Sequence, residues 1–207
     1  MPAAETQSPR LELDDLPELI ERFHVPGASI AVWQDGVLSE AAVGVANMNT
    51  GVEATTDTLF QIGSITKLYT TALVLQLVDE GLLTLDEPIR KWLPDFKVGD
   101  AETSAKVTLR HLLTHTSGID GDYFIDAGRG EDRIEKFVSA LGELPNLSPL
   151  GHMFAYCNVG FVIAGRVIEK VTGLPWDKAM RTRIVKNIGT PAFSTLPEQA
   201  MRHRAKG

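Results

Sequence analysis

Residues 60–81 read Phe60-Gln-Ile-Gly-Ser-Ile-Thr-Lys-Leu-Tyr-Thr-Thr-Ala-Leu-Val-Leu-Gln-Leu-Val-Asp-Glu-Gly81, and this stretch decides the fold. A short apolar run reaches Gly63, and from Ser64 onward apolar residues fall on nearly every side of a helix. Such a pattern predicts a buried helix, which Gly81 would end. Ser64 and Lys67 are three residues apart and therefore share one face of its first turn.

A serine and a lysine in this arrangement suit nucleophilic catalysis. A serine hydroxyl becomes a good nucleophile when a neighbouring base takes its proton. A lysine serves as that base only where its pKa falls from about 10.4 towards roughly 7–8. A helix N-terminus inside a protein favours this, because its dipole and the loss of water both disfavour an ammonium ion. The small Gly63 would let a substrate approach the backbone of Ser64.

Residues 60–81 by themselves also allow a purely structural interpretation of Ser64 and Lys67. Ser64 could cap the helix, with Lys67 as its first solvated charge.

Composition limits the class of protein. A chain of 207 residues is long enough for one large domain with a subdomain. The net charge of -7 argues against nucleic acid or an anionic membrane as a partner. No stretch is apolar for long enough to cross a bilayer. The first residues lack the order of a secretory signal, so we expect a cytoplasmic protein, or a periplasmic or secreted one if a signal was removed before residue 1.

Hydrophobic periodicity outlines the remaining elements. Before the central helix it predicts a helix over 11–23 and strands over 28–33 and 37–45, joined by a hairpin at Gln34-Asp35-Gly36. The polar residues 47–58 form a turn region. After Gly81 it predicts helices over 109–115, 134–141, 158–171 and 176–188, and loops over 97–106 and 117–130. Thr108 can cap the first of these helices, and Gly173 would close the one over 158–171.

Two strands are too few for an independent sheet. We therefore expect domains at 1–81, the N-terminal part of an α/β domain, and 82–207, a mainly helical subdomain. The remaining strands would come from a downstream segment or a second chain.

Two further stretches carry a family resemblance: Leu109-Arg-His-Leu-Leu-Thr-His-Thr-Ser-Gly-Ile119 and Pro149-Leu-Gly-His-Met-Phe-Ala-Tyr-Cys-Asn-Val-Gly160. With Ser64-x-x-Lys67 they resemble, in the same order, motifs of the serine β-lactamase-like family. This family includes class C β-lactamases, D-alanyl-D-alanine peptidases, family VIII carboxylesterases and related acyltransferases. The resemblance spans about residues 25–188 and implies an α+β fold with an antiparallel sheet flanked by helices and a helical subdomain.

The resemblance also implies roles for individual residues. Ser64 would be the acylated nucleophile and Lys67 its proton acceptor, while Tyr156 would pass the proton to the leaving group. Asn158 would orient Lys67 and the substrate. Two structural alternatives stay open: Asn158 as the N-cap of the next helix, and Tyr156 as a core aromatic residue.

One family element is absent from these residues, a strand of the Lys/His-Thr/x-Gly type. In the family it supplies a backbone N–H to the oxyanion hole, and losing one such donor costs roughly 2.7–4 kcal/mol. We therefore expect residues 1–207 alone to be inactive or nearly so.

Other candidate sites are weaker. His111 and His115 have the spacing of a zinc pair, but no acidic residue or third ligand accompanies them, so we expect capping or packing roles and no metal. No phosphate loop, dinucleotide fingerprint or G-x-S-x-G elbow occurs, and we expect no cofactor. Cys157 should be a small apolar filler. The acidic loop residues Asp120, Asp122 and Asp126 lack the register of a calcium loop.

These observations favour a serine hydrolase that acts on a small-molecule ester or amide. We expect a carboxylesterase first, a β-lactamase or D-alanyl-D-alanine peptidase second and an acyltransferase third. A non-catalytic protein that uses the fold for ligand sensing or assembly is the alternative from another class.

Overall fold

A computed structural model describes residues 13–190 and 192–200. Within this part, residues 13–61 and 197–200 form one compact unit, and residues 62–196 form a second. The predicted division into 1–81 and 82–207 stays a prediction about the complete protein. In chain order the elements are α1 (Leu16–Arg22), β1 (Gly27–Gln34), β2 (Val37–Asn47), β3 (Val52–Glu53), α2 (Thr66–Asp79), α3 (Ala101–Lys106), α4 (Leu109–Leu113), α5 (Arg133–Ser139), α6 (Asn158–Thr172), α7 (Trp176–Met180), α8 (Lys186–Ile188) and α9 (Pro197–Ala200).

The first unit contains an antiparallel sheet in the order β1-β2-β3. Gln34 pairs with Val37, which leaves Asp35 and Gly36 as a two-residue hairpin loop. Both have positive φ, 52° and 81°, as the hairpin turn that matches strand twist requires. The predicted hairpin is therefore confirmed. The predicted helix over 11–23 is shorter, since α1 begins at Leu16, and residues 11 and 12 lie outside the described residues.

A third strand was not predicted. Val52 and Glu53 pair with β2 inside the stretch that the sequence marked as a turn region. Asn47 closes the intervening turn, because its Oδ1 accepts the N–H groups of Asn49 and Thr50 at 2.9 and 3.1 Å. A strand of two residues is too short to show alternation in the sequence.

The second unit holds the hydrophobic core. Helices α2, α4 and α7 all contact α6, whose buried face includes Val159, Ile163 and Val167. Helix α6 ends where Gly173 takes a left-handed conformation, φ 67°, as its sequence predicted. The predicted helix over 176–188 consists of α7, a π-helical turn and α8.

Helix α2 differs from its prediction, because it is buried on one side only. Leu73, Val74 and Leu77 are buried, whereas 70% of Leu68 and 54% of Ile65 are exposed. Helices α6 and α7 pack against one side of α2, whereas Leu68 and Leu75 are exposed in the part that the structure describes.

The expected surface loop over 97–106 is also wrong in part, because it contains α3. Asp100 caps this helix by accepting the N–H of Thr103 at 2.6 Å. Ser104 Oγ accepts the N–H of Val98 at 2.9 Å and donates to its carbonyl at 3.0 Å. Polar side chains in this segment therefore form the hydrogen bonds that backbone N–H and C=O groups require. For this reason the polar composition of the segment did not mean that it was exposed.

Two local expectations are confirmed. Thr108 caps α4 as predicted, in a capping box with His111. Residues 117–130 form the predicted irregular loop. No helix in residues 13–190 and 192–200 has the length and apolar character needed to cross a membrane.

Candidate active site

Ser64 and Lys67 lie next to each other at the start of α2. Ser64 belongs to a 3₁₀ turn, Gly63–Ile65, rather than to the α-helix itself, and Lys67 is the second residue of α2. Lys67 Nζ donates to Ser64 Oγ at 3.2 Å. The capping alternative does not hold, because Ile62 and Ile65 are the N-cap residues of the two helical segments and neither cap has a side-chain hydrogen bond.

Gly63 has an open approach beside Ser64. Its φ is +51°, a left-handed value that glycine adopts without a steric penalty. A Cβ at this position would have no neighbour within 4 Å. The predicted role of Gly63, in letting a substrate approach Ser64, stays a prediction.

Tyr156 and Asn158 reach the same two residues from the start of α6. Tyr156 Oη donates to Ser64 Oγ at 2.6 Å, and Lys67 Nζ donates to Asn158 Oδ1 at 2.8 Å. Tyr156 is 49% exposed, so it is not a core aromatic residue. The structure thus brings all four predicted side chains together within the second unit.

Cys157 is the N-cap of α6, where the sequence allowed Asn158. Its Sγ accepts the N–H of Gly160 at 3.2 Å, and Asn158 is the first residue of the helix. Cys157 is buried, as expected of a small filler, but it also makes this capping contact. Burial raises the pKa of its thiol.

The charge on Lys67 shapes the electrostatics of the site. Its ammonium lies 4.7 Å from the ring centre of Tyr156 and 5.5 Å from that of Phe161. The nearby Lys67 side chain lowers the pKa of the Tyr156 phenol, and the Ser64 hydroxyl acts in the same direction. The pKa of His115 is also lowered, first by burial and then by the positive charge of Lys67.

Two residues outside the predicted site contact the Tyr156 segment, and the packing role expected for His115 is a contact with Tyr156 that the sequence did not indicate. The His115 ring stacks on Tyr156 with 4.5 Å between ring centres, and its Nδ1 accepts the N–H of Cys157 at 2.9 Å. A Cβ on Gly121 would lie 2.6 Å from both the Tyr156 carbonyl oxygen and the Cys157 Cα, so only glycine fits there. The one sequence signal for a role of Gly121 was its position in the long loop over 117–130. The spacing of His115 gave no signal of its contact with Tyr156.

The candidate metal ligands have other contacts. His111 Nδ1 accepts the N–H of Thr108 at 3.2 Å in the capping box, which agrees with the capping role expected for it. Among the residues that the structure describes, no group of three or more His, Cys, Asp or Glu side chains could hold a metal ion.

A family model described as Beta-lactamase matches residues 14–207. The chain belongs to the beta-lactamase family. Its membership confirms the resemblance inferred from the three motifs and the α+β fold that this resemblance implied. The described residues contain both helices and a three-stranded antiparallel sheet, in agreement with this fold.

The proteins to which this chain is similar include penicillin-binding proteins and an esterase. Penicillin-binding protein 4 of Amycolatopsis lactamdurans is 48% identical over 87% of this chain and 48% of its own length. Esterase EstB of Burkholderia gladioli is 31% identical over 83% of this chain and 47% of its own. The octameric penicillin-binding protein homologue of Pyrococcus abyssi superposes with a TM-score of 0.79 and 28% identity, covering 92% of this chain and 45% of that one. The chain therefore spans about half the length of these beta-lactamase family members.

Proposed function

We propose that the complete protein is a serine hydrolase that works through a Ser64 acyl-enzyme. The observation that supports this proposal is the convergence of two side chains on one hydroxyl oxygen. Lys67 Nζ and Tyr156 Oη lie 3.2 and 2.6 Å from Ser64 Oγ. A nucleophile within hydrogen-bond reach of both a base and a proton donor is what acyl transfer requires.

Acylation begins when Ser64 Oγ attacks the substrate carbonyl carbon and a new C–O bond forms. The Ser64 proton passes to Lys67 in its amine form, and Tyr156 delivers a proton to the leaving group as the bond to that group breaks. Lys67 then passes a proton to the Tyr156 phenolate, which restores both groups. Water then attacks the acyl-enzyme, the acyl C–O bond breaks, and the acid and free Ser64 are released. Asn158 Oδ1 accepts from Lys67, so its amide nitrogen remains as a donor for the substrate.

The first proposed substrate class is small carboxylic esters. Esterase EstB belongs to the same family, and the exposed position of Ser64 suits small, freely diffusing esters. An alcohol leaving group needs one proton, which a phenol 2.6 Å from the nucleophile can supply.

A second candidate is supported by a specific observation. Penicillin-binding protein 4 is 48% identical to the chain, against 31% for the esterase. Its name favours penicillin-like amides, on which the same acyl-enzyme chemistry would operate.

Two chromogenic substrates distinguish these candidates. With the complete protein, we expect a burst of nitrophenol from p-nitrophenyl acetate, abolished by Ser64→Ala. Rapid opening of a chromogenic cephalosporin would instead assign the second candidate. Intact mass after fluorophosphonate treatment, followed by peptide mapping, should place one adduct on Ser64. No turnover and no adduct, together with tight ligand binding, would overturn the hydrolase proposal in favour of a sensor.

A further inference from the structure

His115 binds the backbone on both sides of Tyr156. Its carbonyl oxygen accepts the N–H of Ala155 at 2.8 Å, and its ring Nδ1 accepts the N–H of Cys157 at 2.9 Å. These are the residues directly before and after Tyr156. One residue thus anchors the backbone from which the Tyr156 phenol projects.

The ring of His115 also contacts the Tyr156 side chain itself. The two rings stack with 4.5 Å between centres and an angle of 29°. Phe154 and Phe161 lie at 5.5 and 5.3 Å around the same imidazole. Because Tyr156 is half-exposed, it has little surrounding protein to restrict its rotamers, and this stack supplies a restraint.

The backbone of His115 indicates that its side chain matters. His115 follows the end of α4 with a left-handed φ of +59°, where glycine or asparagine is the usual residue. A non-glycine residue there has an unfavourable backbone conformation. Glycine would relieve this cost and would remove the ring that contacts Tyr156 and Cys157.

We propose that His115 is a positioning residue, which holds the Tyr156 phenol against the Ser64 hydroxyl through its backbone anchors and its stacked ring. This inference rests on the proposed acyl-enzyme function, in which Tyr156 delivers a proton to the leaving group. Nδ1 accepts an N–H, so the ring is neutral with its proton on Nε2. The groups that face this ring are the Tyr156 phenol and the Lys67 ammonium, and the positive charge of Lys67 supports the neutral form.

Two variants of His115 separate the contribution of its hydrogen bond with the Cys157 N–H from the contribution of its ring, which stacks on Tyr156. His115→Phe keeps an aromatic ring but has no acceptor for the Cys157 N–H. His115→Asn keeps an acceptor and suits the left-handed backbone but has no ring to stack. The exposed His152, substituted by Asn, is the matched control.

The decisive assay compares phenyl acetate with p-nitrophenyl acetate in the complete protein. Both esters form the same acyl-enzyme, but phenolate is the poorer leaving group and depends more on proton delivery. For His115→Phe we expect kcat/KM on phenyl acetate to fall roughly tenfold more than on p-nitrophenyl acetate. For His115→Asn the selective loss should be about two- to tenfold, from the missing stack. His152→Asn should leave both rates unchanged.

A second readout does not depend on catalysis. The Tyr156 phenol can be titrated by carbon-13 NMR of ring-labelled tyrosine and assigned with Tyr156→Phe. We expect its pKa to rise in both His115 variants as the phenol moves away from Lys67. If the pKa of Tyr156 rises in the His115 variants but the protein shows no Ser64-dependent turnover, the proposed function is wrong and the positioning role of His115 still holds. Equal losses on both esters, or an unchanged Tyr156 titration in folded His115→Asn, would overturn the positioning role.

Discussion

The phenol oxygen of Tyr156 lies 2.6 Å from the hydroxyl oxygen of Ser64, although 92 positions separate these residues in the chain. Lys67, on the helix that follows Ser64, donates to the same hydroxyl and to the side-chain Oδ1 of Asn158. A nucleophile, an amine and a phenol are therefore held in one hydrogen-bonded group by helices α2 and α6.

Tyr156→Phe tests the phenol without removing its ring. The stack on His115 and the contact with Lys67 should remain, whereas the Oη that contacts Ser64 is lost. We expect kcat/KM for phenyl acetate to fall by roughly 10²–10⁴, and kcat/KM for p-nitrophenyl acetate to fall less, because its leaving group depends less on a delivered proton. Tyr123→Phe is the control, because that ring contacts Phe137 and keeps this contact without its hydroxyl. Wild-type kcat/KM on phenyl acetate in Tyr156→Phe would exclude the proposed proton transfer.

Lys67 lowers the pKa of Tyr156. Hydrogen bonding from Lys67, and then from the Ser64 hydroxyl, stabilises the phenolate, and the charge of Lys67 adds to this, so the pKa of Tyr156 lies below its usual value of about 10. Lys67→Met should raise this pKa, so that the phenolate appears at higher pH than in the wild type. Ultraviolet titration against Tyr156→Phe measures the shift.

Lys97→Met is the matched control for this titration, because Lys97 pairs with Glu143 on the surface. A Tyr156 titration that Lys67→Met leaves in place, or moves to lower pH, would contradict the assigned cause.

Gly121 leaves no room for a side chain against the Tyr156 segment. A Cβ there would lie 2.6 Å from the Tyr156 carbonyl oxygen, and these backbone atoms have to move to accept it. We expect Gly121→Ala to lower the free energy of unfolding by about 1–3 kcal/mol and to slow Ser64 labelling. Urea denaturation and fluorophosphonate kinetics measure the two effects. Gly142→Ala, where nothing lies within 4 Å, should change neither, and equal behaviour of the two variants would refute the steric account.

Cys157 should be inert in the folded protein. Its side chain is 1% exposed, and burial raises the pKa of the thiol, so the reactive thiolate is disfavoured. We expect Ellman's reagent to react at least roughly a hundredfold faster in denaturing urea than in buffer. Rapid stoichiometric reaction under native conditions would show that the cap of α6 opens.

Local patterns predicted much of the fold. The hairpin at Asp35-Gly36 follows from two residues that tolerate positive φ, and the end of α6 follows from Gly173. The Thr108 cap likewise depends on atoms a few residues apart. Helix α3 and strand β3 escaped prediction, because one has a polar composition and the other is two residues long.

The sequence by itself determined that Ser64 and Lys67 meet, because three residues of helical backbone bring their side chains to one face. The tertiary structure alone decided that Tyr156 reaches Ser64, that His115 holds both neighbours of Tyr156, and that one side of α2 is exposed. Periodicity reports on neighbours within about one helical turn, whereas these contacts depend on how α2, α4 and α6 pack around a shared core.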